Sequence, residues 1–245
     1  MKNKKKIKKK RLQEMTEQIS VVDNGSRVLI IEGAIAVGKS TLCKAIASRA
    51  VESGSFDRVH VFKESISPKM LRAYLKDQKR FAAIFQHNIL FKMLNIYREA
   101  ENLIRDNSRL LVIIDRGLIG NVSFAEMQHQ EKIFDDIDYK LYLEEFEVDD
   151  GFAKKWSKHP MFVIVYLRCE PEIAFERMKK RGIKEEIESY TPEYFQNLHT
   201  VQDKNLSHGG IPWVGWCDDE LNEDGTLKVD AVDRILDYLY IKKNI

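Results

Sequence analysis

Short apolar runs alternate along the chain with longer stretches in which apolar positions recur at helical spacing. The runs are four to six residues long and rich in β-branched side chains, which predicts buried strands. Four predicted strands span Val28–Ile31, Val59–Phe62, Leu110–Ile114 and Phe162–Leu167. A fifth, edge strand is predicted at Trp213–Trp216, although Gly215 weakens its pattern.

Between these runs, apolar residues recur at positions i, i+3 and i+4, which predicts helices. The predicted helices span Ser40–Val51, Phe81–Arg105, Leu118–Met127, Glu131–Trp156, Pro171–Arg181, Pro192–Asn205 and Val229–Tyr240. Alternation of strands and helices is typical of a parallel sheet covered by helices on both faces. We therefore predict one α/β domain over residues 23–245, built on a central five-stranded parallel sheet. Ligands of such sheets bind beyond the carboxyl ends of the strands, where we look for chemistry.

Charge is distributed unevenly between the beginning of the chain and the rest. Met1–Arg11 contains seven lysines, one arginine and no acidic residue. Subtracting those eight from the 40 basic residues of the chain leaves 32, against 38 acidic residues. A run of like charges cannot bury apolar area, so residues 1–22 are predicted to be a disordered tail. Such a tail contacts polyanions or nuclear-import machinery, or serves solubility alone.

Several classes of protein are not expected from this composition. No apolar run approaches the roughly 20 residues that span a bilayer, so we expect no membrane span. Met1–Arg11 is too basic and too poor in apolar residues for a secretory signal. The three cysteines are widely spaced and odd in number, which favours a reducing compartment over a disulfide framework. We expect an intracellular protein, cytoplasmic or, because of the tail, nuclear.

A glycine-rich loop follows the first predicted strand and opens the first predicted helix. Its residues are Gly33, Ala34, Ile35, Ala36, Val37, Gly38, Lys39, Ser40 and Thr41. The spacing G-x-x-x-x-G-K-[ST] lets successive N–H groups surround phosphate oxygens, and the helix N-terminus adds its partial positive charge. We predict that these residues bind a nucleoside triphosphate, with Lys39 at the β/γ oxygens and Ser40 as a Mg²⁺ ligand. The loop alone leaves open what accepts the phosphate.

Charged residues also follow the second and third predicted strands. The third strand ends in Asp115-Arg116-Gly117, an order that suits a small-molecule kinase. Asp115 would hold the Mg²⁺ shell, and Arg116 would face the transferring phosphoryl group or orient a neighbouring carboxylate. Glu64 follows the second strand and is placed to accept a proton from an attacking hydroxyl.

Four segments of the chain together resemble the deoxynucleoside kinase family, which contains deoxycytidine, deoxyguanosine and mitochondrial-type thymidine kinases and viral relatives. These segments are Ile31–Thr41, Lys76–Gln86, Asp115–Gly117 and Tyr166–His199. The resemblance implies a P-loop kinase fold with a helical lid at about residues 178–190. It also implies ATP with Mg²⁺ as phosphate donor, a deoxynucleoside as acceptor and a homodimer.

The resemblance further implies a role for each matching position. Glu64 would activate the sugar 5′-hydroxyl, while Arg116 would hold the 5′ end and the catalytic carboxylate beside Lys39. Gln86 would read the base edge through its amide. Residues around the base and sugar would be Tyr74, Phe85, Ile89, Met93 and Asn121. From the lid, Arg177 and Arg181 would close over the ATP phosphates, and Glu186 would bind the 3′-hydroxyl.

Some positions depart from the family pattern and bear on the substrate. Ser65 stands where the family has proline after the catalytic glutamate, and Ile183 replaces the second lid arginine. Met93 stands where purine-using relatives tend to carry arginine, which favours a pyrimidine base. Asn121 is compatible with either base class.

Two other functions stay open at this point. The basic residues Lys69, Arg72 and Lys76 after Glu64 would suit a clamp on an acceptor phosphate, as in a deoxynucleoside monophosphate kinase resembling thymidylate kinase. A non-catalytic nucleotide-binding protein that uses its tail for nucleic acid would need neither Glu64 nor Arg116.

The remaining aromatic and imidazole side chains have no predicted part in the chemistry. Tyr190 and Trp156 are predicted to pack. We expect His87, His129 and His199 at the surface or capping helices, because phosphoryl transfer of this type needs no imidazole.

Overall fold

Five parallel strands form the central sheet of the protein. A computed structural model describes residues 24–64, 66–148, 161–206, 213–215 and 229–241. The strands are β1 (Arg27–Glu32), β2 (Arg58–Phe62), β3 (Leu110–Asp115), β4 (Phe162–Arg168) and β5 (Trp213–Gly215). Their order in the sheet is β2-β3-β1-β4-β5, with every neighbouring pair parallel. The predicted architecture of a parallel sheet flanked by helices is confirmed.

Nine helices are described in these ranges. They are α1 (Lys39–Glu52), α2 (Pro68–Lys76), α3 (Gln78–Asp106), α4 (Leu118–Gln130), α5 (Asp136–Val148), α6 (Pro171–Arg181), α7 (Lys184–Ser189), α8 (Pro192–Leu206) and α9 (Val229–Ile241). None of them is long and apolar enough to cross a membrane. The basic tail, Trp156 and Cys217 lie outside the described residues.

The two faces of the sheet carry separate apolar cores, which explains why the inner strands are apolar at every position. On one face, Leu29 and Ile31 pack with Ile113 and with α1 and α8 residues. On the other face, Val28 and Ile30 pack with Val112 and with α3 residues. All residues of β1 and β3 are buried, whereas β2 is partly exposed at the edge of the sheet. Burial on both faces removes the alternation of polar and apolar positions typical of half-exposed strands.

The predicted helix Glu131–Trp156 is wrong at its beginning. Helix α5 begins at Asp136, because Lys132 has a left-handed backbone (φ 58) that ends the preceding helical path. Asp135 then accepts hydrogen bonds from the backbone N–H groups of Ile137 and Asp138, which caps the new helix. Helices α2 and α7 add to the predicted set.

The structure also corrects the position expected for His199. His87 and His129 contact Glu145 and Asp136 near the surface, but His199 is buried, with 1% of its surface exposed. It lies on α8 between Leu198 and Val201, on the face that packs into the core. Neither ring nitrogen has a hydrogen-bond partner among the described residues. Burial, and secondarily the charge of Arg168, lower the pKa of His199 to about 4.

This buried imidazole predicts a loss of stability in acid. An unfolded histidine has a pKa near 6.5, so the unfolded state binds a proton more readily than the folded state does. The contribution of His199 to the free energy of unfolding is therefore present above about pH 6.5 and is lost as pH falls towards 4. We expect the difference in unfolding free energy between wild type and His199→Gln to change by about 3 kcal/mol over this interval, measured by urea denaturation.

A matched control for that experiment is His60→Gln, since His60 is exposed on β2. Its pH profile should follow that of the wild type. Parallel profiles for His199→Gln and the wild type would show that His199 does not carry the acid sensitivity.

Candidate active site

The glycine-rich loop between β1 and α1 curls around the amino end of α1. Gly33 has φ +152, and a Cβ there would overlap the Leu167 carbonyl of β4, so the position requires glycine. Gly38 has φ 103 and directly precedes the helix. The Lys39 ammonium folds back to donate to the carbonyls of Gly33 (3.0 Å) and Ala34 (2.6 Å). Burial, and then the neighbouring Arg116 charge, lower the pKa of Lys39 to about 8.

The end of β3 brings a carboxylate to this loop. The Ser40 hydroxyl donates to Asp115 Oδ2 over 2.6 Å. Asp115 Oδ1 is buried without a hydrogen-bond partner among the described residues, so it can still accept a cation. Together these two side chains fit Mg²⁺, which takes one or two protein oxygens and fills its octahedron with phosphate oxygens and water.

An ion pair joins the ends of β2 and β3. Arg116 Nε lies 2.5 Å from Glu64 Oε1. Arg116 has a left-handed backbone (φ 77), its N–H donates to the Ile31 carbonyl (3.0 Å), and its guanidinium lies 4.5 Å from the centre of the Phe124 ring. Such a conformation is uncommon for a residue with a Cβ and recurs at active sites as well as at turns.

A buried carboxylate lies beneath this turn. Glu32, the last residue of β1, is fully buried, and the backbone N–H groups of Gly117 and Gly120 face it at the amino end of α4. Burial raises the pKa of Glu32, while these N–H groups and the charges of Arg116 and Lys39 favour its ionised form. The residue thus ties the P-loop strand to the segment that carries Arg116.

One cavity of about 470 Å³ opens above the carboxyl ends of the strands. It brings together most of the predicted site residues: Ile35, Ala36, Gly38, Lys39, Ser40, Thr41, Glu64, Tyr74, Phe85, Gln86, Ile89, Arg116, Asn121, Arg177, Arg181 and Glu186. Residues from the phosphate loop, α1, the segments that follow β2 and β3, α2, α3, α4 and the lid therefore converge on a single cleft. The convergence of Glu64, Lys39 and Gln86, which the resemblance requires, is present.

Five predicted site residues do not line this cavity. Met93 and Asp115 line a smaller crevice behind Ile89 and Arg116. Met93 packs in the core on the face of the sheet covered by α3 and shares the crevice with Glu64 and Arg116, so its contact with a base stays a prediction. Gly33, Ala34 and Val37 contribute to the loop through its backbone and packing rather than to the cavity wall.

A chain of buried polar side chains lies at the end of the cavity away from the phosphate loop. Asn121 donates to Gln86 Oε1 (2.8 Å), and Gln86 donates to Gln128 Oε1 (3.1 Å). The hydroxyls of Tyr142 and Tyr74 contact Asn121 and Gln128, respectively, at the two ends. The Tyr74 ring also stacks on Phe85, with centroids 4.6 Å apart.

Sequence reasoning missed part of the cavity wall. Gln128, Phe124, Tyr190 and Tyr194 all line it, and the Tyr190 and Tyr194 rings stack at 4.6 Å. Tyr190, predicted only to pack, is thus also part of the site wall. A usable signal was the spacing of seven residues between Asn121 and Gln128, which places both on one face of α4.

The lid residues lie at the mouth of the cavity. Helix α6 ends at Arg181, and Gly182 with φ 76 turns the chain into α7. Arg177 donates to the Val37 carbonyl of the phosphate loop (3.3 Å), and Arg181 forms an ion pair with Glu186 of α7 (2.5 Å). Arg177 therefore faces the phosphate loop, and Arg181, one turn further along the same face of α6, faces α7.

Comparison with known proteins assigns this chain to a family. The family model for deoxynucleoside kinases matches residues 29–238, which is most of the chain. The chain belongs to the deoxynucleoside kinase family and is an enzyme that phosphorylates nucleosides.

Particular relatives agree with this assignment. A probable deoxycytidine kinase of fowlpox virus is 26% identical over 88% of this chain and 86% of its own length. A deoxyadenosine/deoxycytidine kinase of Bacillus subtilis is 25% identical over 74% of this chain and 76% of its own. The structure of a deoxyadenosine kinase from M. mycoides with bound dCMP and dCDP superposes with a TM-score of 0.64. It is 22% identical and covers 87% of this chain and 99% of that one.

The contact between Glu32 and the turn after β3 predicts a strong effect of Gly117→Ala. A Cβ on Gly117 would overlap the Glu32 carboxylate and lie 2.6 Å from Ile30 Cγ2 and 2.8 Å from the Tyr97 hydroxyl. We expect a loss of about 3 kcal/mol in unfolding free energy by urea denaturation. We also expect a lower turnover rate in the folded fraction, because Arg116 must shift.

Gly54→Ala is the matched control, since nothing lies within 4 Å of that Cβ and only the left-handed φ of +67 is strained. It should cost about 1 kcal/mol and leave turnover unchanged. Equal effects of the two substitutions would mean that the Glu32 contact does not position the site.

Proposed function

We propose that this enzyme transfers the γ-phosphoryl group of ATP to the 5′-hydroxyl of a deoxynucleoside, with Mg²⁺ held by Ser40 and Asp115. The observation that carries the proposal is that Glu64, Lys39 and Gln86 line one cavity. Its charged end suits a triphosphate, and its other end offers neutral amides and aromatic rings to a base. A deoxynucleoside bound between them has its 5′-hydroxyl directed at the γ-phosphate.

Each group at the charged end has a role in the transfer. Glu64 accepts the 5′-hydroxyl proton as the oxygen forms its bond to the γ-phosphorus, while the bond from phosphorus to the β,γ-bridging oxygen breaks. Arg116, paired with Glu64, holds that carboxylate in position. Mg²⁺ neutralises charge on the β- and γ-oxygens when bound. Lys39, with Arg177 and Arg181 from the lid, stabilises the charge that develops on the phosphates.

The basic residues near the acceptor side argue against a monophosphate acceptor. Lys69, Arg72 and Lys76 are all exposed on α2, and none of them lines the cavity. The cations that do line it are Lys39, Arg116, Arg177 and Arg181, which come from the phosphate loop, the turn after β3 and the lid. The described part of the acceptor end thus contains no second phosphate clamp.

The end of the cavity proposed for the nucleobase suits an uncharged base, but its side chains do not distinguish a pyrimidine from a purine. Gln86, Asn121 and Gln128 carry amides, and Tyr74 with Phe85 supplies an apolar wall. The predicted preference for a pyrimidine depends on Met93, which lies outside the cavity, so the geometry gives that preference no support.

A panel of acceptors tests the proposal directly. ADP release should be measured with each deoxynucleoside and each deoxynucleoside monophosphate as acceptor. We expect turnover with at least one deoxynucleoside and at most about one hundredth of it with the corresponding monophosphate, because Lys69, Arg72 and Lys76 lie outside the cavity and Arg116 is already paired with Glu64. Turnover confined to dTMP or dCMP would replace this proposal by a monophosphate kinase.

The proposed role of Glu64 as general base predicts the effect of Glu64→Gln. Removing the proton acceptor should lower kcat by about 10²–10⁴-fold. ATP affinity should stay near wild type, because Glu64 contacts Arg116 rather than the phosphate loop. Steady-state kinetics with an isothermal titration of ATP measures both quantities.

Glu99→Gln is the control, since Glu99 is exposed on α3 away from the cavity. It should leave kcat unchanged. Near-normal turnover of Glu64→Gln would remove Glu64 from the mechanism.

A further inference from the structure

Five side chains at the base end form one continuous chain of hydrogen bonds. Tyr142 donates to Asn121 Oδ1 (2.7 Å), Asn121 donates to Gln86 Oε1 (2.8 Å), Gln86 donates to Gln128 Oε1 (3.1 Å), and Gln128 donates to the Tyr74 hydroxyl (2.8 Å). Each of the five is at most 1% exposed. The residues come from α2, α3, α4 and α5, so helix packing alone brings them together.

The donor-to-acceptor direction of this hydrogen-bond chain can be reversed without losing a hydrogen bond. A hydroxyl stands at each end, and a tyrosine hydroxyl either donates or accepts. The three residues between the hydroxyls carry amides, which exchange their oxygen and nitrogen by a half-turn of the amide group. If all three amides turn and both hydroxyls change role, the same four contacts form with every donor and acceptor exchanged.

Gln86 cannot turn alone. With its neighbours fixed, a half-turn would bring its oxygen against Gln128 Oε1 and its nitrogen against Asn121 Nδ2. Both contacts would then be repulsive, and these side chains are almost fully buried, where an unsatisfied polar group is expensive. The orientation of the Gln86 amide is therefore coupled to the orientation of the whole chain.

That orientation matters because Gln86 lines the cavity. Its oxygen accepts two hydrogen bonds and its nitrogen donates two, so after the chain contacts each has one position left for a base. Cytosine presents an acceptor at N3 beside a donor at N4, whereas uracil presents a donor at N3 beside an acceptor at O4. One direction of the chain matches one of these patterns, and the reverse direction matches the other.

We infer that this hydrogen-bond chain reverses as a unit. Gln128 and Tyr142 thereby determine which edge pattern Gln86 matches, and reversal lets the wild-type enzyme accept both patterns. The inference rests on the proposed function of the same cavity. None of the five residues carries a charge, and a fixed carboxylate or ammonium among them would lock a single direction. Tyr142 does not line the cavity, so it acts as a positioning residue through Asn121.

Two substitutions lock the chain in opposite directions. A carboxylate only accepts, so Gln128→Glu holds the Gln86 nitrogen towards position 128, as in the structure. Asn121→Asp holds the same nitrogen towards position 121, which is the reverse orientation. The readout is the ratio of kcat/KM for deoxycytidine to that for deoxyuridine, two nucleosides that differ only in this edge.

We expect the wild-type ratio to lie within about tenfold of unity, and the two variants to move it at least about tenfold in opposite directions. A wild-type ratio beyond about a thousandfold, a shift of both variants in the same direction, or no shift in either would overturn the inference. Absence of turnover with every deoxynucleoside in the wild type would instead refute the proposed function.

Tyr142→Phe gives an uncharged test with little change of shape. Without that hydroxyl, the observed direction leaves an Asn121 oxygen short of one donor, whereas the reverse leaves an N–H without an acceptor. Proteins tolerate an under-satisfied carbonyl better than an orphaned N–H, so the observed direction should become more stable relative to the reverse one. The ratio should move in the same direction as in Gln128→Glu, by about threefold, with an unchanged KM for ATP.

A shift of Tyr142→Phe in the opposite direction, or one smaller than about twofold, would count against coupling through the chain. Thermal unfolding of each variant identifies those that fold. If the buried carboxylate variants do not fold, Tyr142→Phe against Tyr74→Phe repeats the comparison, because the second substitution removes the hydroxyl at the other end and should move the ratio the other way.

Discussion

The parallel pairing of β1 with β3 is the constraint on which the site depends. Its register sets Ile31 beside Asp115, and the N–H of Arg116 continues the pattern by donating to the Ile31 carbonyl (3.0 Å). The carboxyl ends of β1 and β3 are therefore level with each other, so the phosphate loop after β1 lies beside Asp115 and Arg116 at the end of β3. Because both strands are buried on both faces, this register cannot slip without exposing apolar side chains on both sides of the sheet.

Charges at the ends of these strands balance one another in a closed space. Lys39 and Arg116 lie among the carboxylates Glu32, Asp115 and Glu64, and the pKa of Lys39 is lowered because burial outweighs the attraction of these anions. Glu32 differs from the other two, since it faces backbone N–H groups of Gly117 and Gly120 rather than the cavity. It contributes by fixing the turn from which Arg116 reaches Glu64.

The two ends of the cavity use different physics. At the phosphate end, backbone N–H groups and fixed charges provide a strong field that distinguishes an anion from water. At the end proposed for the base, amides and hydroxyls such as Gln86 and Tyr74 satisfy one another while they line the cavity. A charged wall is selective for charge, whereas a neutral network is selective for the pattern of hydrogen bonds, and this pattern distinguishes one base from another.

Contiguous sequence determined the phosphate loop, the inner strands and most of the helices, because each depends on neighbours in the chain: glycines at a turn, β-branched runs, or apolar residues at helical spacing. It also supplied Glu64 as the carboxylate that follows the second strand, and Gln86 and Arg116 through short motifs. Only the tertiary structure decided that the Met93 side chain packs in the core, that His199 is buried, and that Gln128 and Tyr142 join the hydrogen-bond chain at Gln86. These outcomes depend on how helices distant in sequence pack together. The residue pattern on one helix face does not identify the element that packs against it.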